Sequence, residues 1–424
     1  MWFSLDVIPA RKGDCLMLHF GTKSDPHLIL IDGGPSNVYR PHLKPRIDKL
    51  RTVRNLGAQS PLPVDAVLVS HVDDDHIKGI LELTQELRAL KLGMSPLFLR
   101  AGSLWHNSFD DLLTTTPQEL KAQASFGAAA LTGQIEVADH VQFDAAKVLA
   151  SIPQGRDLRL DAGYLNWTIN REFKGKLIMA TDKPTVVPLT GGVKLTVVGP
   201  MKAEVAALQK AHDKWLRDSK KKKAKPASAA LAAFVDKSIP NLSSIVMLAE
   251  AQGQSMLFTG DARGDKVLKG LQLVGRLGPG KKSTLPVTLL KVPHHGSANN
   301  LAAEFFQRIP AKHYIFSGNG EHGNPERETL QMLLNARGDT GYTIHLTYPV
   351  AEIDVARQAD WEKERAKEQT KKKKNSKQKV RPVWSPQKHS LAAFLAKHKT
   401  FEQTIQTVAQ GQPHLIDLLD TLTI

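Results

Sequence analysis

The decapeptide SHVDDDHIKG, residues 70–79, follows directly on the apolar run VDAVLV and constrains the chain more than any other stretch. Three adjacent carboxylates repel one another, and packing asks for none of them. A positive charge must hold them, and the flanking His71 and His76 make that charge a metal. His71 and Asp73 alternate on an extended turn and can face one ion. Asp75 and His76 open the next helix and can face a second, and its N-terminus favours their carboxylates. Helix capping alone needs one Asp and no histidine. Asp74, between the two sets, is expected to face outward.

Other apolar runs end in the same residue types. Asp32 ends LILID, Asp261 ends SMLFTGD, His294 and His295 end LLKVPHH, and His322 lies in GNGEHGNP after HYIFSG. Strand exits in a layered α/β fold converge on one rim, where sites are usually built. Imidazoles and carboxylates gathered there suit a divalent metal.

The rest of the pattern is an alternation of strand and helix. FSLDVIP, CLMLHFG, HLILIDGG, AVLVS and PLFLRAG read as strands. HLKPRIDKLRTVRNLG and HIKGILELTQELRALKLG read as helices closed by Gly57 and Gly93. VKLTVVGP, SSIVMLAE, SMLFTGD, VTLLKVPHHGS, HYIFSGNG and YTIHLTY supply a second set of strands. The alternation predicts sheets covered by helices. Residues 1–350 form the expected body, with an insertion at about 105–190 and a lysine-rich loop at 217–226. A basic linker at 362–382 leads to a small helical tail at 385–424. The tail's spacing, LAAFLAKH and LIDLLDTL, suits helices that cover their own core or dock a protein partner.

The net charge of +15 is concentrated: six basic residues to one acidic between Arg217 and Lys225, and ten to three between Glu362 and Arg381. Such runs are solvated or hold a polyanion by counterion release. No stretch approaches the ~18 consecutive apolar residues of a membrane helix. The start, MWFSLDVIPARKGD, lacks the pattern of a signal peptide. The single cysteine, Cys15, excludes an internal disulfide and fits a reducing compartment. A cytoplasmic protein with no membrane part is expected.

The spacing His-x-Asp-x-Asp-His, followed in order by FTGD and KVPHHGS and preceded by IDGG, resembles the metallo-β-lactamase-fold hydrolases. More narrowly, it resembles the metal-hydrolase domain of the bacterial competence DNA-uptake channel, which also has Asp where most of the superfamily has a second His. The resemblance runs from about residue 3 to 335. It implies a four-layer αββα sandwich and two divalent ions, with His71, Asp73, Asp75 and His76 as ligands, Asp261 bridging, and His294 or His295 closing the site. Asp32 is expected to orient a ligand. Asp75 and His295 are the expected catalytic residues, the latter as proton donor to the leaving group if it does not bind metal. The superfamily usually has a further histidine before the bridging Asp, and none is obvious here; NLSS stands at that point, and His106 and His322 are further candidates.

Replacing His by Asp hardens the site, so manganese competes with zinc, and magnesium is a third candidate. The leading expectation is a phosphodiesterase cutting nucleic acid, DNA above all, with a hydroxide shared by two metals. Lys78, Lys220, Lys221, Lys222, Lys223, Lys371, Lys372, Lys373 and Lys374 would contact the nucleic acid. A small-molecule ester, lactone or amide hydrolase of the same fold is the alternative, and a partner-binding protein with an idle site is a third. There is no G-x-S-x-G and no phosphate-binding Gly-Lys loop, so serine hydrolase and NTP-driven chemistry have no support.

Overall fold

Strands apolar on both faces must be covered on both faces, and this requirement sets the architecture. The computed structural model describes residues 1–107, 153–203, 205–206, 244–374, 377–409 and 411–424. One sheet contains β1 (Trp2–Val7), β2 (Leu16–Gly21), β3 (Pro26–Ile31), β4 (Leu62–Val69), β5 (Leu99–His106) and β6 (Thr168–Ile169) in that order. The other contains β7 (Val186–Pro188), β8 (Lys194–Gly199), β9 (Val246–Ala251), β10 (Gln254–Phe258), β11 (Val287–Lys291), β12 (Ala311–Phe316), β13 (Thr343–Leu346) and β14 (Ile405–Gln406), again consecutively. β15 (Leu415–Asp417) pairs antiparallel with β1 and extends the first sheet. Both sheets are mixed: β1 to β3 and β7 to β10 are antiparallel, while β3 to β6 and β10 to β14 run parallel.

Period-two alternation divides the side chains between layers. Leu16, Leu18, Phe20, Ile29 and Ile31 meet Leu195, Val197, Met247, Met256 and Leu289 between the two sheets. Their neighbours Met17, Leu28, Leu30 and Val67 point outward against Ile47 of α1 (Lys44–Val53), Ile80 and Leu83 of α2 (Asp74–Leu92), and Leu158 of α3 (153–164). On the far side Leu290, Tyr314 and Ile344 pack on α4 (Gly264–Leu273), α5 (Ala303–Arg308) and α6 (Arg327–Arg337) through Leu271, Phe305 and Leu330. The result is the expected four-layer αββα sandwich.

Four boundaries differ from expectation. α1 stops at Val53, short of Gly57, because Asn55 takes a left-handed φ of 52° and the Leu56 N–H turns back to the Arg51 carbonyl at 2.9 Å. The stretch expected as a single insertion contains the end of β5, then α3 and β6 in the first sheet and β7 in the second; residues 108–152 of it lie outside the described residues. The expected basic linker is largely the C-terminal part of α7 (Val350–Lys374), whose last turn carries lysines where the helix dipole favours cations. A returning segment braces it, with Arg381 paired to Glu368 at 2.8 Å and Trp361 Nε1 donating to the Pro382 carbonyl at 2.9 Å.

The tail is the fourth. It holds α8 (Pro386–His389), α9 (Leu391–Lys397) and α10 (Lys399–Glu402), but it also supplies β14 and β15 to the two sheets. Leu391, Phe394, Leu395 and Phe401 are buried in the chain's own core, the first of the two roles their spacing allowed. A chain of three imidazoles ties the tail down: His313 Nδ1 lies 3.0 Å from His345 Nε2, and His345 Nδ1 lies 3.0 Å from His414 Nε2. Among the described residues, no helix is long and apolar enough to cross a membrane.

Candidate metal centre

The rim is built where β3, β4, β10 and β11 end. β4 runs straight into Ser70 and His71, and α2 begins at Asp74 with Asp73 as its N-cap. Two glycine contacts fix how α2 approaches. A Cβ on Gly79 of α2 would lie 1.9 Å from the Gly33 carbonyl oxygen, so IDGG and the helix touch backbone to backbone. A Cβ on Gly13, in the β1–β2 turn, would lie 1.8 Å from the Asp75 carbonyl oxygen. The first hairpin is thereby laid over the start of the ligand-bearing helix.

Asp261 sits at the centre, and its two carboxylate oxygens face different partners. Oδ1 lies 3.3 Å from His76 Nε2 and 3.3 Å from His295 Nε2, and His295 Nε2 is 4.0 Å from Asp75 Oδ2. Oδ2 lies 3.8 Å from His71 Nε2 and 3.6 Å from His294 Nε2, and His71 Nε2 is 3.8 Å from Asp73 Oδ2. His294 and His295 are adjacent in sequence, yet they face opposite oxygens. Left-handed φ angles of 49° and 54° splay their rings, which lie 80° apart. Such backbone is costly for non-glycine residues and is found where the surroundings enforce it.

Three of the four imidazoles, those of His71, His76 and His295, are aimed by their other nitrogen. Asp32 accepts from the Ser70 backbone N–H and hydroxyl, both at 2.7 Å, and from His76 Nδ1 at 2.8 Å. Ser70 Oγ lies 3.0 Å from His71 Nδ1. His295 Nδ1 is 3.0 Å from Ser317 Oγ and 3.3 Å from Asp14 Oδ1, and Ser317 donates to Asp14. Ser244, from the NLSS stretch, accepts the Asp261 backbone N–H at 3.3 Å. Such partners fix tautomer and ring orientation in metal sites.

Two residues of this centre went unrecognised in the sequence. Asp14 has an oxygen within 4.8 Å of ligand atoms of His76, Asp261 and His295. Lys291, 1 % exposed, places its ammonium 2.5 Å from Asp14 Oδ2, 3.1 Å from the Gly260 carbonyl and 3.9 Å from Asp261 Oδ1. A lysine inside the apolar run LLKVP was the available signal, because a buried ammonium needs a buried carboxylate.

Electrostatics follow from this crowding. Burial alone would push the Asp261 carboxyl up, but His295, His294 and His76 hold it well below the carboxylate range. Burial likewise disfavours charge on His76 and His295, yet the facing carboxylates win: Asp261 and Asp32 raise His76 well above its usual value, and Asp261 and Asp14 raise His295 to about 9. His71, dominated by burial, falls to about 4. The Nε2 atoms of His71, His76 and His295, and Oδ1 of Asp261, are buried and have no hydrogen-bond partner among the described residues. Orphaned acceptors that converge on one another are the donor set a divalent cation satisfies, so the residues fit a metal.

The other expected residues lie outside this cluster. His106 ends β5, its Nδ1 3.5 Å from the Val69 carbonyl and its backbone N–H held by Asn170 at 2.9 Å. His322 faces Lys12, not Asp261. Asp74 is exposed and meets Gln154 at 2.7 Å and Lys78 at 3.9 Å. Lys371, Lys372 and Lys373 lie on the last turns of α7, whose final residue is Lys374. Lys220, Lys221, Lys222 and Lys223 lie outside the described residues.

Residues 23–114 match the model of the metallo-beta-lactamase superfamily. That stretch is similar to the metallo-beta-lactamase superfamily, which implies a metal-dependent hydrolase. The chain is 34% identical over 100 residues to ComE operon protein 3 of Bacillus subtilis, covering 23% of this chain and 12% of that protein, in keeping with the resemblance noted from the motifs. It is 30% identical over 118 residues to microtubule-associated protein 1A of Rattus norvegicus, covering 27% of this chain and 4% of that protein. Among solved structures, a protein of unknown function from Enterococcus faecalis V583 is similar at 10% identity and a TM-score of 0.26, over 82% of this chain and 71% of that one.

Proposed function

We propose that the chain is a phosphodiesterase acting on nucleic acid, DNA first, with two divalent ions held on either side of Asp261. The observation that carries this is the division of donors between the two Asp261 oxygens: His71 and His294 toward Oδ2, His76 and His295 toward Oδ1. Asp73 completes the first set and Asp75 the second. On this reading His294 supplies the histidine missing before Asp261, and each member of the tandem pair serves one ion. Three aspartates among seven ligands favour manganese or magnesium over zinc. Ions held by these residues would supply the Lewis acidity that an in-line displacement at phosphorus needs.

The chain's own residues do the positioning. Asp32 and Asp14 orient His76 and His295 from opposite sides. His295 has Nδ1 on Ser317 and Nε2 turned to Asp261, which supports a ligand role over the proton-donor role expected only if it does not bind metal. The open edge is formed by His294, Asp73 and Asp75, whose side chains are 34 %, 25 % and 22 % exposed, and substrate enters there. Lys78 beside that edge, the end of α7 with Lys371 to Lys374, and Lys220 to Lys223 are the cations proposed to meet the polyanion.

The test is cleavage of single- and double-stranded DNA and RNA with manganese, magnesium or zinc, against Asp73→Ala and Asp261→Ala. Metal-dependent cutting that both substitutions abolish supports the proposal. Turnover of uncharged esters with no cutting of any nucleic acid overturns it in favour of a small-molecule hydrolase.

A further inference from the structure

We infer that Lys291 is a resident cation of the metal centre, one that loosens the hold on the ion facing Asp261 Oδ1 and leaves the other ion unaffected; this rests on the two-ion reading above and not on the substrate. Lys291 ends β11, two residues after Leu289, so period-two alternation turns its side chain between the sheets, where Leu289 lies. There it meets Asp14, which comes from the β1–β2 turn of the opposite sheet. The two residues before Asp261 anchor it. Thr259 Oγ1 donates to the Lys291 carbonyl at 2.7 Å, and the ammonium donates to the Gly260 carbonyl at 3.1 Å.

The charge of Lys291 bears on one half of the centre. Asp14 Oδ2, 2.5 Å from the ammonium, is 3.8 Å from His76 Nδ1, and Asp14 Oδ1 is 3.3 Å from His295 Nδ1. His76 and His295 are the imidazoles that face Asp261 Oδ1, and the ammonium itself is 3.9 Å from that oxygen. Asp14, Lys291, His76 and His295 are all almost fully buried, so water screens their interactions little. On the Oδ2 side, His294 and Asp73 are partly exposed, and solvent weakens the effect of Lys291 there.

Five carboxylates, those of Asp14, Asp32, Asp73, Asp75 and Asp261, are set against the imidazoles of the centre. Two divalent ions answer four of them, and Lys291 answers the fifth. Before any ion arrives, the ammonium relieves the repulsion among the buried carboxylates. Once an ion is bound beside it, the same fixed charge repels that ion and makes it easier to release. A lysine that only propped Asp14 and His295 in place would act the other way, because its loss would loosen a ligand and weaken binding. The two roles differ in sign.

The experiment titrates manganese by calorimetry into the metal-free full chain at pH 7, for wild type, Lys291→Met, Asp14→Asn and the double variant. Lys291→Met should bind one of the two equivalents roughly tenfold more tightly and leave the other within about twofold. Asp14→Asn leaves the ammonium unanswered and should weaken that same equivalent roughly tenfold, and the double variant should return to within about threefold of wild type. Weaker binding in Lys291→Met, or no change in either single variant, overturns the inference. If Lys291→Met does not fold without metal, the other two variants decide: wild-type binding by Asp14→Asn, or a double variant as weak as Asp14→Asn, overturns it. If wild type takes up a single equivalent, the two-ion reading falls and the same signs at that ion decide the role of Lys291; no uptake by wild type removes both. Cleavage of nucleic acid does not enter the test, so the phosphodiesterase reading stands or falls separately.

Discussion

Replacing Lys291 by methionine removes a charge from the best-shielded ion pair next to the metal centre. Its ammonium is 2.5 Å from Asp14 Oδ2, and both side chains are almost fully buried. Methionine fills a similar volume, so the change isolates the charge. Asp14 is then a buried carboxylate answered by Ser317, by His295 and, at 3.8 Å, by His76, and removing one partner of a buried pair costs ~3–5 kcal/mol. The assay is urea unfolding of the metal-free protein at pH 7, for Lys291→Met, Asp14→Asn and the double variant. Neutralising both groups removes the stranded charge, so the double variant should regain about 2 kcal/mol or more over Lys291→Met alone. A loss below ~1 kcal/mol in Lys291→Met, or strictly additive losses in the double variant, refutes the claim that Lys291 serves Asp14.

Three further outcomes follow from the geometry. His294→Ala and His295→Ala should each bind one manganese fewer than wild type, by elemental analysis after dialysis; loss of both ions from one variant and none from the other would show that only one histidine is a ligand. Gly79→Ala forces a methyl into the Gly33 carbonyl and should cost ~1–3 kcal/mol while lowering metal affinity, read by unfolding and by metal titration; wild-type values for both would sink the backbone-contact argument. Burial depresses His345 to about 3 and His414 to about 4. Their contribution is therefore full above an unfolded value near 6.5 and lost as pH falls from there toward 4, with a slope of up to ~1.4 kcal/mol per pH unit for each. His414→Gln should flatten the stability profile between pH 6.5 and 4, and an unchanged slope in urea unfolding at those pH values contradicts it.

What could be read in the sequence was what local chemistry dictates. The strands were legible because Leu28 to Ile31 and Val67 to Val69 are apolar on both faces, which only a buried sheet explains. The Asp and His residues at the ends of those runs were legible because strand exits share a rim. Asp14 was not, because ARKGD is indistinguishable from a polar hairpin turn until the absent side chain of Gly13 lets it settle on the Asp75 carbonyl. The roles of His294 and His295 were not, because adjacent residues on regular backbone point apart, and only two left-handed φ angles bring both rings to Asp261. The lysine run after Glu362 read as a linker because its charge hides the helical support given by Glu368, Arg381 and Trp361. The tail read as helical because strands of two and three residues, β14 and β15, have no periodicity to detect.

The central claim is a two-ion site divided by Asp261, and titration of manganese into the metal-free chain by calorimetry tests it most directly. The account predicts two equivalents bound by wild type, proton release as His76 and His295 surrender their raised affinity for protons, and binding of both ions lost or greatly weakened in Asp261→Ala. Two ions retained at wild-type affinity by Asp261→Ala would contradict it.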